Sequence, residues 1–376
     1  MARLDEICSL NMGQSPDSSS YNEIGDGLPF FQGNADFGAL HPNVRIWCNA
    51  PTKIAHSGDI LISVRAPIGA MNIADRECCI GRGLAALTVD ETLCNSRYLW
   101  YAIANKVNEL NAKGIGSTFK AISKNVLGET EIPLPSLDKQ HRISAILDKL
   151  SDLISLCKQQ LAKLDELVKV RFVEMFGEPA TNSMHWQESL LSDHLDIIGG
   201  YAFKSEGFTE TGIPVLRIGN INSGHFLPVN MVYWQEDQSL QRYKMYPGDL
   251  VMSLTGTVGK DDYGNVCILG NDYAEYYLNQ RNAKLSIKQT LNKYYLAEML
   301  KFSEIKKRLT GISRGIRQAN ISNKDILSLL VPIPPIGIQK QFAAYIEQTN
   351  KLKLTIQQSL DRLEVLKKSL MQEYFG

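Results

Sequence analysis

Chemistry at a single site needs several reactive side chains at fixed spacing, and this chain offers few such groupings. His41, His56, His141, His185, His194 and His225 stand singly, with no cysteine or carboxylate at ligand spacing. There is no Asn/Asp-Pro-Pro-Tyr/Phe loop for base methylation, no G-x-G-x-x-G opening a helix, no Walker A loop and no H-E-x-x-H pair. Asp261 and Asp262 beside Lys260 form an acidic pair of the kind that loops commonly carry in solvent. No catalytic and no metal-ligating residue is assigned.

Side chains suited to phosphates and base edges are better represented. From Lys301 to Arg317 the chain carries Lys301, Lys306, Lys307, Arg308, Arg314 and Arg317 against Glu304. A cluster of this sign gains from counterion release on phosphate, although a solvated helix face has the same composition. Gly311 and Gly315 place Ser313, Arg314 and Arg317 on a loop where the backbone can come close to a ligand. Lys113, Ser117, Lys120 and Lys124 surround Gly114 and Gly116 in a weaker version of the same pattern. At the ends of apolar runs stand Arg65 in one place and Thr255, Thr257 and Lys260 in another. Gln32, Asn34, Arg217 and Asn220 have the donors and acceptors that base edges need, and they also suit turns. Arg82 and Arg281 recur 199 positions apart, compatible with a binding role or with a shared core salt bridge. Lysine plus arginine equals aspartate plus glutamate at 40 each, so only local patches could favour a polyanion.

These candidates must be positioned by a repeated framework. Ile132 to Gly177 aligns without a gap on Val331 to Gly376. Each copy opens with alternating prolines, Ile132-Pro133-Leu134-Pro135 and Val331-Pro332-Ile333-Pro334-Pro335, which end a strand. Apolar residues then recur at Ile143, Ile146, Leu150, Leu153, Cys157, Leu161, Leu164, Val168, Phe172 and Met175. The second copy gives Phe342, Ile346, Thr349, Leu352, Ile356, Leu360, Leu363, Leu366, Leu370 and Tyr374. A spacing near 3.6 predicts one amphipathic helix of ~40 residues and ~60 Å in each copy. Ile146, Leu150, Leu153, Leu161 and Leu164 are expected to pack on Ile346, Leu352, Leu360 and Leu363 as an antiparallel coiled coil. Both helices run out on Phe-Gly.

Ahead of each helix the chain is strand-rich. Gly58-Asp59-Ile60-Leu61-Ile62-Ser63 matches Gly248-Asp249-Leu250-Val251-Met252-Ser253, and Phe30-Phe31-Gln32 corresponds loosely to Val215-Leu216-Arg217. The fold class expected is α+β: two strand-rich domains separated by two long helices, with a pseudo-twofold internal repeat. The boundaries are 1–137, 138–177, 178–337 and 338–376. Seven cysteines without a C-x-x-C pair suggest reduced thiols and a cytoplasmic location, and no run is apolar enough to predict a membrane span.

With these residues in view, the chain resembles the specificity subunit of type I restriction-modification systems over essentially its whole length. The likeness is carried by the paired proline exits, Gln140 and Gln339 just after them, the long helices, the Phe-Gly endings and the duplicated Gly-Asp strands. Lys139 and Ile338 stand where that family often has Glu. The resemblance implies a non-catalytic reader of double-stranded DNA, with two target-recognition domains that each read one half of a split, asymmetric sequence. It implies that the helices act as a ruler for the unread spacer. Two modification subunits would methylate adenine with S-adenosylmethionine, and motor subunits would add ATP- and Mg-dependent cleavage; no cofactor is expected on this chain. The first domain carries 11 basic and 14 acidic residues up to Leu137, so tight binding is expected to need the partners. The reading from another class is a coiled-coil scaffold that binds proteins and not DNA.

Overall fold

In the computed structural model, which describes residues 1–116, 120–221, 224–258, 260, 262–311 and 318–376, both Gly-Asp motifs are turns that launch a buried strand. Gly58 and Gly248 take positive φ angles of 93° and 88°, a conformation costly for any residue with a Cβ. The aspartate closes each turn: the His56 amide donates to Asp59 Oδ2 and the Tyr246 amide to Asp249 Oδ2, both at 2.8 Å.

By compactness the chain divides into Met1–Lys158 with Gln357–Gly376, and Gln159–Ile356. In the first unit the strands are β1 (Cys8–Met12), β2 (Leu28–Phe31), β3 (Ile60–Ser63), β4 (Met71–Ile73), β5 (Cys78–Ile80) and β6 (Leu84–Val89). One antiparallel sheet has the order β1-β6-β3-β4, and a second places β2 parallel to β5 between three short strands. Helix α1 (Ser96–Lys113) covers the first sheet, with Tyr98, Leu99, Ala102 and Ile103 in the same core as Ile60, Ile62, Ala85 and Leu87. The long helix α2 (Leu137–Phe176) begins in this unit.

The second unit repeats the plan with β7 (Leu195–Gly199), β8 (Ile213–Leu216), β9 (Leu250–Ser253), β10 (Val266–Ile268), β11 (Tyr276–Leu278) and β12 (Asn282–Ile287). Its sheets have the order β7-β12-β9-β10 and a parallel β8/β11 pair, the same topology as in the first unit. Helices α3 (Lys293–Lys301) and α4 (Ser303–Thr310) take the place of α1, and α5 (Ile336–Phe375) is the second long helix. The class is α+β, as the patterning predicts.

Each long helix enters its unit through the same lock. Gln140, fully buried, accepts the Asn95 amide at 2.8 Å and donates to the carbonyls of Leu93 and Pro135. Gln339 does likewise with the Asn292 amide and the carbonyls of Thr290 and Pro334. A buried amide with its partners met fixes the start of the helix against the loop before the preceding helix.

Within the first unit α2 and α5 run antiparallel: Ser151 accepts from Lys367 at 2.8 Å, and Lys158 pairs with Glu364 at 2.8 Å. In the second unit Asp165 meets Lys353 at 2.5 Å, and Phe172 lies against Phe342. The seam differs from the predicted stripe. Ile146, Leu153 and Leu352 are 43%, 39% and 51% exposed, and Leu366 is exposed as well. The inward positions are Ile143, Leu147, Leu150, Ile154, Cys157, Leu161, Leu164 and Val168 on α2, and Ile346, Thr349, Lys353, Ile356, Leu360, Leu363, Lys367 and Leu370 on α5. Their spacing alternates strictly between three and four, the 3.5-residue period that keeps a stripe on its partner, whereas a 3.6-residue reading drifts off it. Leu147→Ala is therefore expected to cost about 2–5 kcal/mol and Ile146→Ala about 0.5 kcal/mol or less. Chemical denaturation of the two variants measures the difference; equal losses would return Ile146 to the seam.

Candidate nucleic-acid interface

In both units the polar candidates sit where the strand ends meet, and glycine makes the meeting possible. A Cβ on Gly13, just after β1, would lie 2.2 Å from the Gly81 carbonyl oxygen. A Cβ on Gly200, just after β7, would lie 2.1 Å from that of Asn279. The loops can touch only because these positions lack a side chain.

In the first unit the contact is made by main chain: Gln14 donates to Ile80 at 3.0 Å, Gly81 to Phe31 at 2.8 Å and Gly83 to Gln32 at 3.2 Å. The side chains of Ser15 and Gln32 exchange hydrogen bonds of 3.2 and 3.0 Å. Asp36 accepts the Gln32 amide at 2.7 Å, ends the short turn that Asn34 begins, and pairs with Arg45. Next to this loop the Val64 amide reaches the Gly83 carbonyl and the Ala66 amide the Lys120 carbonyl, which brings exposed Arg65 and Lys120 into the same neighbourhood. Lys113 closes α1 on Glu109 at 2.7 Å. Ser117 lies outside the described residues.

The second unit builds the equivalent rim from other residues. Tyr201 donates to Leu278 and Gln280 to Tyr201, each at 2.8 Å, and Leu254 donates to Arg281 at 2.8 Å. Arg217 begins a turn like that of Gln32, its amide held by Asn220 at 3.0 Å and its guanidinium on the Asn230 carbonyl. Asn220 does not offer a base-reading edge: it is 1% exposed and its amide group donates to the carbonyls of Leu227 and Val229. It plays the part of Asp36, the acceptor that holds the turn. Thr255 is half-buried, and Thr257 gives its amide and hydroxyl to Asp262 at 2.8 and 2.9 Å. Those two bonds hold the Asp262 carboxyl below its usual range. Lys260 is exposed beside them.

The described basic residues of this stretch are engaged within the protein, Lys306 in the interior and Lys301, Lys307 and Arg308 at the surface. Lys301 pairs with Glu298 at 2.5 Å and Lys307 with Glu304 at 2.7 Å. Lys306 is buried against Asn265, and Arg308 donates to the carbonyls of Ala180 and Leu330. Ser313, Arg314 and Arg317 lie outside the described residues. Strand pairing also corrects the match of Arg82 to Arg281. Ser63 faces Leu84 as Ser253 faces Asn282, so Arg281 answers to Gly83 and Arg82 to Gln280. Both arginines are exposed, and among the described residues neither takes part in a core salt bridge. Ser15, Tyr201 and Gln280 also belong to the rim, and the sequence marks the first two only through Gly13, two residues before Ser15, and Gly200, directly before Tyr201.

Among the described residues no cluster of His, Cys, Asp or Glu is arranged to hold a metal. Burial pushes the thiols of Cys8, Cys78, Cys94 and Cys267 up to about 12, so they remain protonated and poor ligands. No helix of the described residues is long and apolar enough to cross a membrane.

A domain built twice on one topology, each copy with a polar rim at the strand ends and a long helix behind it, defines a duplicated recognition protein. The model of the type I restriction modification DNA specificity domain matches residues 1–166 and again 184–366. The chain belongs to that family: it is a non-catalytic DNA sequence-specificity subunit, and the scaffold alternative is not favoured.

Among its relatives, the putative type I restriction enzyme MjaX specificity subunit of Methanocaldococcus jannaschii is 41% identical over 165 residues, which is 44% of this chain and 39% of that protein. The MjaVIII specificity subunit of the same organism is 24% identical over 85% of this chain and 78% of its own length. The EcoBI specificity subunit of Escherichia coli is 19% identical over 99% and 84%. The fold is that of the crystallised type I restriction-modification S subunit from M. genitalium, with a TM-score of 0.63 and 16% identity over 100% of this chain and 95% of that one. A chain from a structural study of assembly and conformational transition of the type I R-M system gives a TM-score of 0.56 at 18% identity, over 99% and 96%.

Asn220→Ala removes the acceptor for the Arg217 amide and the donor for two carbonyls, an expected loss of about 1–3 kcal/mol. Denaturant unfolding checks this, and an unchanged midpoint would release Asn220 from its structural role.

Proposed function

We propose that this subunit reads a split, asymmetric sequence in double-stranded DNA, one half through each rim, and that it does so in the cytoplasm as part of a larger complex. The observation that carries the reading is that one rim geometry is built twice from unlike side chains. A shared frame with divergent polar tips is what two different half-sites require. In the first unit Gln32, Asn34, Arg65, Lys113 and Lys120 face the DNA, together with Ser117. In the second, Arg217, Thr255, Thr257 and Lys260 do so, with Lys307, Arg308, Ser313, Arg314 and Arg317 supplying phosphate contacts. The two long helices set the spacing between half-sites. Half-site centres about 34 Å apart fit within a helix of ~60 Å.

The partners are two modification subunits and, where cleavage occurs, restriction or motor subunits. Adenine methylation draws on S-adenosylmethionine, and translocation on ATP and Mg, all bound by those partners. Leu153, Leu156, Val365 and Leu366 in the first unit, and Leu167, Val170, Leu352 and Leu354 in the second, are exposed apolar residues off the helix seam. They support docking of another subunit on the helices.

Mapping methylated adenines in cells with and without this chain tests the reading. Methylation at one bipartite sequence is expected only when the chain is present; an unchanged map would contradict the proposal. In the assembled complex, Arg65→Ala, Lys120→Ala or Lys260→Ala is expected to weaken binding across all sequences and to reduce the salt slope by about one each. The purified chain alone is expected to bind DNA weakly, and nanomolar specific binding without partners would contradict that.

A further inference from the structure

We infer that Arg82 and Gln280 occupy one structural position in the two units and that each discriminates a base pair in its half-site, Arg82 through a guanine edge and Gln280 through an adenine edge. This rests on the proposal that the rims face DNA.

The equivalence follows from strand pairing. Phe31 lies parallel to Ile80 as Leu216 does to Leu278, and Ser63 faces Leu84 as Ser253 faces Asn282. The intervening loops, 81–83 and 279–281, have Arg82 and Gln280 at their centres. Both loops close in the same way, with Leu84 donating to Gly81 at 3.0 Å and Asn282 to Asn279 at 2.9 Å. Each is also tied to the neighbouring strand end, through Val64 to Gly83 at 2.9 Å and Leu254 to Arg281 at 2.8 Å. The central amides are held too: Arg82 donates to Ser15 Oγ at 3.3 Å and Gln280 to the Tyr201 carbonyl at 2.8 Å. The backbone is therefore fixed before any ligand arrives, and binding orders only the side chain.

Both side chains are exposed, and among the described residues neither the Arg82 guanidinium nor the side-chain amide of Gln280 forms a hydrogen bond or ion pair within the protein. Their neighbours on the rim are already engaged, Gln32 with Ser15 and Arg217 with the Asn230 carbonyl. The central position is uncommitted in both units. Arginine presents two parallel donors that match guanine O6 and N7, and glutamine presents the donor and acceptor that match adenine N6 and N7. The two units share no positive charge at this position, because glutamine is neutral and could hold phosphate only through its amide donors. The side chains at this position therefore vary in the way sequence reading demands.

The test uses the complex assembled with its modification subunits, with methylation and competition binding measured on duplexes varied one base pair at a time. Arg82→Gln is expected to lower discrimination for guanine at one pair of one half-site by about 5- to 150-fold and to leave the other half-site unchanged. Arg82→Lys keeps the charge but loses the two-pronged geometry, so the same loss is expected. Gln280→Ala is expected to relax one pair of the other half-site. Uniform weakening on all duplexes with a shallower salt slope would make Arg82 a phosphate contact and overturn the inference; so would an Arg82→Lys variant with unchanged discrimination, or variants whose target is unaltered. If the unsubstituted chain fails to set the methylated sequence, the DNA-reading proposal itself fails; if it succeeds and the variants do not differ from it, only this inference does.

Discussion

Each unit closes its core with aromatic residues delivered by the far end of a helix that starts in the other. In the second unit Phe172 stacks on Tyr295 at 5.4 Å between ring centres and meets Phe342 edge-on, and Phe176 meets both. These rings belong to the last turns of α2, which begins among the strands of the first unit. There, in turn, Phe375 from the end of α5 lies 5.1 Å from Tyr98, and its carbonyl accepts from Asn105. The first unit is therefore built from two separate stretches of sequence, and the second is a single stretch that takes in the end of α2. Loss of one buried aromatic of this size typically costs about 3–5 kcal/mol, so the exchange of helix ends is a large part of what holds each unit together. It also explains how helices of 40 residues with polar seam positions persist: packing, not propensity, stabilises them.

On that base, the frame and the reader are made by different residues. Buried groups set the frame: the Gly-Asp turns, Gln140 and Gln339, and the glycines that let strand ends touch. Side chains at the rim tips differ between the units while the strand pairing stays the same: Gln32 stands where Arg217 stands, and Arg65 where half-buried Thr255 stands. Lys353 and Lys367 show the same economy on the seam. Their stems follow the apolar stripe while their amines reach Asp165 and Ser151.

What the sequence revealed tracks how periodic each signal was. Two long helices, the proline exits and the Gly-Asp strands repeat strongly enough to be read directly, and they sufficed for the fold class and the family resemblance. The choice between Ile146 and Leu147, or Leu352 and Lys353, was not legible, because both alternatives satisfy an average period and only the partner helix selects one. Arg82 and Arg281 share the offset of the long helices, but strand pairing puts the offset at this loop one residue lower, because the chain between loop and helix differs in length. Asn220 has the composition of a reader, and its burial, not its chemistry, removes it from the rim. The basic stretch that opens at Lys301 has an acidic partner just ahead of it, Glu298, which pairs with Lys301.

The proposed division of labour, in which rims read and helices measure, is open to one direct measurement. Residues 188–332 begin and end on a two-stranded ribbon, Glu188–Leu190 with Leu330–Pro332, so they can be exchanged as a block for the matching segment of a relative with a different target. The methylated sequence set by the chimeric complex should then differ in one half only, with the other half and the unread spacing retained. A change in both halves, or in the spacing, would contradict independent reading from a common frame.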